Sequence, residues 1–240
     1  TNSQTKTVDA ILEDLKKETP MSRLLEGDVG SGKTAVAAIA SYVTIMNRPL
    51  DKAGLIQKFG NLQVAYMAPT EILATQHFES FIELFKHTGI SIGLITGSGC
   101  RKFPTKVASS KTPWTTISRT QLQKWVANGE ISIVVGTHTL IQKSVAFKHL
   151  ALAIIDEQHR FGLNQRKGIA KKDTHFPHLL SMTATPIPRT LALTIYGDLD
   201  ISLLDEMPQG RKPVITEVVT PHKRAEVYKK IKEFLEAGRQ

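Results

Sequence analysis

The chain contains the segment Gly27-Asp28-Val29-Gly30-Ser31-Gly32-Lys33-Thr34, which matches the phosphate-binding P-loop pattern G-x-x-x-x-G-K-[ST]. The apolar pair Leu24-Leu25 precedes it, and a helical run over residues 35–46 follows. In this strand–loop–helix context the glycines let the backbone curl, so that N–H groups and the helix N-terminus face phosphate oxygens. We expect Lys33 to neutralise the β- and γ-phosphates of a nucleotide and the Thr34 hydroxyl to ligate Mg²⁺. The alternative is a glycine-rich turn with a solvent-exposed lysine.

An acidic pair follows a second apolar run, residues 152–155. The run ends in Asp156-Glu157-Gln158-His159, and in a parallel sheet such strand ends share one edge with the P-loop. We expect Asp156 to hold Mg²⁺ and Glu157 to orient and deprotonate the attacking water. The alternative is that these acids only cap a helix.

A third polar motif, Thr183-Ala184-Thr185, follows the apolar run of residues 179–182. Its two hydroxyls are suited to hydrogen-bond with the acidic motif and to pass nucleotide state onward. A helix cap explains Thr185 equally well, so this motif is informative only together with the other two.

The apolar runs alternate with helical patterns, which predicts an α/β fold with a doubly wound, mostly parallel sheet covered by helices on both faces. Two connections, residues 47–61 and 98–117, exceed ordinary loop lengths, and the second is either a surface insertion or a DNA-touching loop. The predicted strands are residues 23–25, 63–67, 91–95, 131–135, 152–155 and 179–182, and the predicted helices are residues 3–17, 33–46, 71–86, 118–128 and 188–196.

Residues 208–213 have the Pro/Gly content of a linker. After them, residues 214–219 form a strand candidate, and residues 221–237 carry the apolar stripe of an amphipathic helix. We expect one lobe over residues 1–207 and the start of a truncated second lobe over residues 214–240. Because the chain opens at Thr1, we also expect it to be an excised piece of a longer protein.

Composition excludes several classes of protein. With 240 residues, 41% of them hydrophobic and 22% charged, the chain is neither disordered nor fibrous, and its longest nearly apolar stretch is too short to span a membrane. The single cysteine, Cys100, favours a reducing interior. The net charge of +9 fits a polyanionic partner and a merely solvated surface equally well. The basic excess is concentrated in residues 101–148, which hold eight basic residues and one acidic residue.

Taken together, the motifs resemble the first motor lobe of superfamily 2 helicases, and specifically the RecG family of branch-migration translocases. The resemblance covers nearly the whole chain, and it is carried by GDVGSGKT (27–34), MAPTEILATQH (67–77), IVVGTHTLIQ (133–142), LAIIDEQHRFGLNQR (152–166), MTATPIPRTLA (182–192) and DEMPQGRKPV (205–214). The related transcription-repair coupling translocases share much of this pattern, but their acidic motif commonly reads DEEH, whereas Gln158 and Ser31 look more like RecG.

The resemblance implies a RecA-like P-loop NTPase domain and a role for each matching residue. Gln4 looks like the glutamine that recognises adenine, or else it is a surface residue at a helix start. Gln158 and His159 would complete the acidic motif. The matches to motifs that contact the DNA backbone in the family are Pro69, Thr70, Gly136, Thr137 and His138.

For the parent protein, the resemblance implies an ATP- and Mg²⁺-dependent DNA helicase acting on branched duplexes, forks and Holliday junctions. It further implies a monomeric, cytoplasmic, nucleoid-associated bacterial protein, with a wedge domain and a second motor lobe outside this chain. On its own, the chain should show little or no turnover. The alternatives are a transcription-repair type translocase on unbranched duplex and a nonenzymatic nucleotide switch.

Overall fold

The computed structural model describes residues 1–49, 55–56, 60–105, 112–142, 144–157, 176–185, 199–206, 216 and 218–238. The chain divides into two compact units, Thr1–Met207 and Pro208–Gln240. No described helix is long and apolar enough to cross a membrane.

The first unit is built on a nine-stranded sheet with the strand order β5-β4-β3-β6-β2-β7-β8-β1-β9. All described pairings are parallel except β3–β4 and β4–β5, which are antiparallel. The strands are β1 Ser22–Gly27, β2 Gln63–Met67, β3 Ile92–Ile95, β4 Cys100–Phe103, β5 Thr115–Ile117, β6 Ile133–Gly136, β7 Leu150–Asp156, β8 His178–Thr183 and β9 Asp200–Leu204.

Four described α-helices belong to this unit. They are α1 Asn2–Leu15, α2 Lys33–Met46, α3 Glu71–Phe85 and α4 Arg119–Ala127. Each of α1, α3 and α4 begins after a hydroxyl side chain that accepts a backbone N–H of the first turn, the usual way to satisfy a helix start. The predicted bounds of these four helices agree with the structure to within two residues at each end.

Both faces of the sheet are buried, as the continuous apolar runs predict. Along β2, Val64 and Tyr66 join a core with residues of α1, α2 and α3, such as Phe78. The alternate residues Ala65 and Met67 join a second core with residues of α4. This two-sided burial confirms the predicted mostly parallel sheet with helices on both faces.

Three strands were missed by the sequence reading. The stretch 98–117 is not simply a long connection, because β4 and β5 lie at its two ends and extend the sheet as an antiparallel pair. Both strands lack the apolar run that marks a buried strand; Arg101 in β4 instead lies 4.3 Å from the ring centroid of Trp114. Strand β9 sits at the other edge, with two of its five residues buried, so its sequence shows no continuous run.

Several expectations fall outside the described residues: the helix at 188–196, the linker at 208–213, and half of the strand at 214–219, whose described residues 216, 218 and 219 are not in a strand. In the second unit, a short 3₁₀ turn, Pro221–Lys223, leads into helix α5, Arg224–Glu236. The predicted apolar stripe lies on α5, and its residues Ile231, Phe234 and Leu235 are exposed.

A buried ion pair ties α1 to the sheet. Asp14 of α1 accepts from Arg23 of β1 at 2.6–2.8 Å, and Arg23 also donates to Ser202 of β9 at 2.9 Å. Burial alone would raise the pKa of the Asp14 carboxyl, but hydrogen bonds from Lys17 and Arg23 outweigh it and hold that pKa below its ordinary value of 3.8. The pair therefore fixes the helix that carries Gln4 against the strand that leads into the P-loop.

Replacing Asp14 with Asn should lower the free energy of unfolding by about 3 kcal/mol, because it leaves the buried Arg23 guanidinium with only the exposed Asp200 carboxylate, at 3.6 Å, as counter-charge. Urea denaturation at pH 7 measures the change. Since the pKa of Asp14 is lowered on folding, its contribution is present above pH 3.8 and is lost as the pH falls through the folded value. Glu13→Gln is the matched control: its ion pair with Lys16 is about 70% exposed, so an equal loss in both variants would refute the account.

Candidate active site

The P-loop lies between β1, which ends at Gly27, and α2, which begins at Lys33. Gly30 and Gly32 have φ values of 83° and 93°, a left-handed conformation that glycine adopts without a Cβ penalty. An α-helix leaves its first N–H groups without intrahelical partners, and Gly32 has no side chain to accept them at the start of α2. The loop therefore presents the backbone donors that an anion binds.

Lys33 and Ser31 supply polar groups to the same loop. The Lys33 ammonium donates to the carbonyl oxygens of Gly27, at 2.5 Å, and Asp28, at 3.0 Å. Burial lowers the pKa of Lys33, while the carboxylates of Asp156, Glu157 and Asp28 oppose that shift. The Ser31 hydroxyl is buried and has no hydrogen-bond partner among the described residues, which fits a loop built to receive further acceptors such as phosphate oxygens.

Gln4 reaches the P-loop from α1. Its Nε2 donates to the carbonyl of Ser31 at 2.7 Å, and its Oε1 accepts from the Thr1 amino group at 3.0 Å. A Cβ on Gly32 would lie 2.2 Å from Gln4 Nε2, so a side chain at position 32 would displace this contact. The structure brings Gln4 to the nucleotide loop, and its recognition of adenine stays a prediction.

The acidic motif lies at the same edge of the sheet. Strand β7 ends at Asp156, which is paired in register with Met182 of β8, and the next β8 residue, Thr183, is paired with Glu26 of β1. The carboxylates of Asp156 and Glu157 therefore act electrostatically on Lys33. Glu157 has a φ of 51°, a left-handed conformation that is uncommon for a residue other than glycine. Gln158 and His159 lie outside the described residues.

The structure shows one partner of Asp156 that the sequence reading missed. His77, on α3, has its Nε2 2.8 Å from Asp156 Oδ2, and its Nδ1 lies 3.2 Å from the hydroxyl of Tyr66 on β2. The two residues are 79 positions apart, so no local pattern links them. The only signal in the sequence was that His77 is the last residue of the motif at 67–77.

The residues present fit Mg²⁺ bound together with a nucleotide. Thr34 and Asp156 offer the hard oxygen ligands that Mg²⁺ prefers. The described residues hold no group of three or more acidic, histidine or cysteine side chains able to cage a metal by themselves. Mg²⁺ commonly takes one or two protein carboxylates and completes its shell with phosphate and water.

The Thr183-Ala184-Thr185 segment begins at the last residue of β8, the strand between the P-loop strand and the acidic strand. Thr183 is fully buried, and its hydroxyl lies 2.9 Å from the hydroxyl of Thr185 and accepts from the Thr185 amide at 3.2 Å. The sheet order therefore places this segment beside the P-loop and the acidic motif, as predicted. Its coupling role stays a prediction.

The residues matched to DNA-contacting motifs come together at two neighbouring strand ends. Met67 of β2 is paired with Gly136 of β6, so the Pro69-Thr70 and Thr137-His138 segments leave the sheet side by side. Thr70 and His138 are exposed. Gly136 and Thr137 are buried, and Thr137 caps a 3₁₀ turn by accepting from the amide of Thr139. Their DNA contacts stay predictions.

Comparison with known proteins identifies the class. The DEAD/DEAH box helicase family model matches residues 1–194, so the chain belongs to that family. A solved DEAD box protein from the hyperthermophile Methanococcus jannaschii has the same fold, with a TM-score of 0.55 at 21% identity over 85% of this chain and 49% of that one. With the parallel sheet and P-loop, these matches confirm the RecA-like fold.

Within that class, the chain resembles RecG. The ATP-dependent DNA helicase RecG of Aquifex aeolicus is 47% identical over 239 residues, which are 99% of this chain and 27% of that protein. A structure of RecG bound to a three-way DNA junction has a TM-score of 0.71 at 39% identity, over 99% of this chain and 28% of that one. The resemblance expected from the motifs is confirmed, and the chain spans about a quarter to a third of the length of the curated relatives it matches.

Replacing Lys33 with Ala should weaken nucleotide binding by at least tenfold, because it removes the cation that faces the phosphates. Titration of the chain with a fluorescent ATP analogue measures the dissociation constant. Lys16→Ala is the matched control, since Lys16 carries the same charge on an exposed part of the chain. Equal affinity of the Lys33 variant and the wild type would show that the P-loop does not bind phosphate.

Proposed function

We propose that this chain is the nucleotide-binding lobe of an ATP-dependent DNA helicase or translocase that remodels branched DNA. The activity would serve fork reversal and branch migration of Holliday junctions in recombination and repair. The observation that supports this most is the match of 99% of the chain to proteins named ATP-dependent DNA helicase RecG, one of them solved on a three-way DNA junction. Because the chain covers only 27% and 28% of those two proteins, the activity is proposed for a whole protein that contains this lobe.

ATP would bind with its phosphates on the P-loop, residues 27–34. The backbone N–H groups of Gly30, Ser31 and Gly32 and the start of α2 would face the phosphate oxygens, and Lys33 would leave its carbonyl partners to neutralise them. Gln4, already hydrogen-bonded to the loop, would recognise adenine. These contacts would position the γ-phosphate for attack.

Hydrolysis would depend on the acidic edge. Thr34 and Asp156 would hold Mg²⁺, which when bound neutralises charge that builds on the phosphates. Glu157 would orient the attacking water and accept its proton. Gln158, His159 and the hydroxyls of Thr183 and Thr185, with Ala184 between them, would couple the site to its neighbours.

DNA would lie across the ends of β2 and β6. Thr70, whose hydroxyl also accepts from the Leu73 amide, and His138 are exposed residues there, and backbone and side-chain contacts to phosphates hold DNA without reading bases. Pro69, Gly136 and Thr137 would shape the two loops. The net charge of +9 favours such a polyanion.

The remaining expectations concern the protein around this lobe. Residues 208–213 would link the lobe of residues 1–207 to a second lobe, and residues 214–240 would be the first part of that second lobe. That lobe would supply arginines to the γ-phosphate, and a wedge domain would engage the branch. The chain alone would then hydrolyse ATP slowly, because such arginines contribute about 10³–10⁵ in rate in related phosphoryl transfers. The whole protein would act as a monomer in the bacterial cytoplasm, at the nucleoid.

The test is the ATP turnover of the full-length gene product on forked, linear duplex and single-stranded DNA of equal nucleotide content. Strong preference for the fork is expected. Equal turnover on fork and duplex would contradict the branched-DNA proposal and favour a transcription-repair type translocase. Absence of any DNA stimulation would reduce the P-loop to a nucleotide switch.

Replacing Glu157 with Gln in the full-length protein should lower ATP turnover about 10²- to 10⁴-fold, because it removes the base and keeps the shape of the side chain. Nucleotide affinity should stay within about twofold of wild type. Glu130→Gln serves as the control for loss of one negative charge, because Glu130 is exposed in the loop before β6, at the amino ends of the parallel strands. Turnover that survives in the Glu157 variant would contradict the assigned role.

A further inference from the structure

A series of three hydrogen-bonded side chains runs from the core of the first unit to the edge of the nucleotide site. The Tyr66 hydroxyl lies 3.2 Å from His77 Nδ1, and His77 Nε2 lies 2.8 Å from Asp156 Oδ2. The three residues come from β2, α3 and β7, which are distinct elements of the lobe. None of the motif matches assigns a role to His77 or Tyr66.

The Asp156 end of this series fixes the direction of one hydrogen bond. The Asp156 carboxylate can only accept, so His77 Nε2 carries a proton and donates to Oδ2. The Tyr66 hydroxyl lies closer to Nδ1, at 3.2 Å, than to Nε2, at 3.4 Å, so it is the partner of the other ring nitrogen. Burial raises the pKa of Tyr66 well above its ordinary value, as do the charges of Asp156 and Glu157, so the hydroxyl keeps its proton.

The Tyr66 end of this series is rigid. Tyr66 is fully buried, and its ring centroid lies 5.2 Å from that of Phe81 and 4.7 Å from that of the His77 ring. Phe81 in turn lies 5.6 Å from Phe85 on the same helix. Close-packed interiors leave little free space, so the Tyr66 hydroxyl is held in place. Its hydrogen bond therefore restricts the orientation of the His77 ring.

We propose that His77 is a positioning residue that holds the Asp156 carboxylate in the orientation required to bind Mg²⁺. The hydrogen bond engages Oδ2, so Oδ1 is the oxygen that would bind the metal. Carboxylates that bind metals are commonly held by such outer hydrogen bonds, and loss of one typically costs 10- to 100-fold in metal affinity. This inference rests on the proposed function, because it takes Asp156 as the Mg²⁺ ligand.

The test compares nucleotide binding with and without Mg²⁺ in this chain. A fluorescent ATP analogue is titrated in saturating Mg²⁺ and in EDTA, for the wild type and for His77→Ala. We expect the variant to bind the Mg²⁺ complex about tenfold more weakly and to keep the wild-type dissociation constant in EDTA. A purely structural role for His77 would instead lower thermal stability and affect both dissociation constants alike.

Two further variants keep the test decisive if His77→Ala unfolds. Tyr66→Phe keeps the ring and removes only the hydroxyl, so it should lower Mg²⁺-dependent affinity by about two- to threefold. Where His77→Ala does fold, adding Tyr66→Phe to it should lower that affinity no further. His87→Ala is the matched control, since His87 is an exposed histidine just beyond the end of the same helix.

The outcomes separate this inference from the proposed function. If Mg²⁺ strengthens nucleotide binding in the wild type but the His77 and Tyr66 variants respond to Mg²⁺ as the wild type does, the positioning role is wrong and the nucleotide site stands. If Mg²⁺ has no effect on the wild type, the proposed metal site fails, and the role of His77 fails with it.

Discussion

The parallel pairing of β7, β8 and β1 is the constraint on which the site depends. In this register Asp156 is paired with Met182, and Thr183 with Glu26. The carboxyl ends of the three strands therefore meet, and the P-loop, the acidic motif and the threonine motif leave the sheet at one edge. A slip of one residue would turn every side chain of a strand to the opposite face. The register that packs the apolar side chains of these strands therefore also determines which residues meet at their carboxyl ends.

The helices complete what the strand ends begin. Helix α2 directs its N-terminus at the P-loop, and α1 is fixed by the Asp14–Arg23 pair so that Gln4 reaches the carbonyl of Ser31. Helix α3 contributes to two places. Its N-cap Thr70 belongs to the exposed segment at the end of β2, and two turns later His77 contacts Asp156. One rigid helix thus joins the surface proposed for DNA to the acidic edge of the nucleotide site.

The sequence predicted those parts of the fold whose signal is local. A glycine-rich loop between an apolar run and a helix is readable in eight consecutive residues, and the buried parallel strands are readable as apolar runs. Strands β4 and β5 were missed because β5 is the edge strand, β4 lies next to it, and neither carries such a run. Lys102 of β4 lies 5.5 Å from the ring centroid of Trp125, a contact set by the tertiary fold. His77 was missed for the same reason, since its partner lies 79 residues away along the chain.

The most direct measurement is a crystal structure of this chain with Mg²⁺ and a non-hydrolysable ATP analogue. The account predicts phosphates on the N–H groups of residues 30–34, with Lys33 turned from the Gly27 carbonyl to the phosphates and Mg²⁺ between Thr34 and Asp156. Phosphates bound away from the P-loop, or a metal that does not contact the Thr34 and Asp156 side of the site, would contradict it.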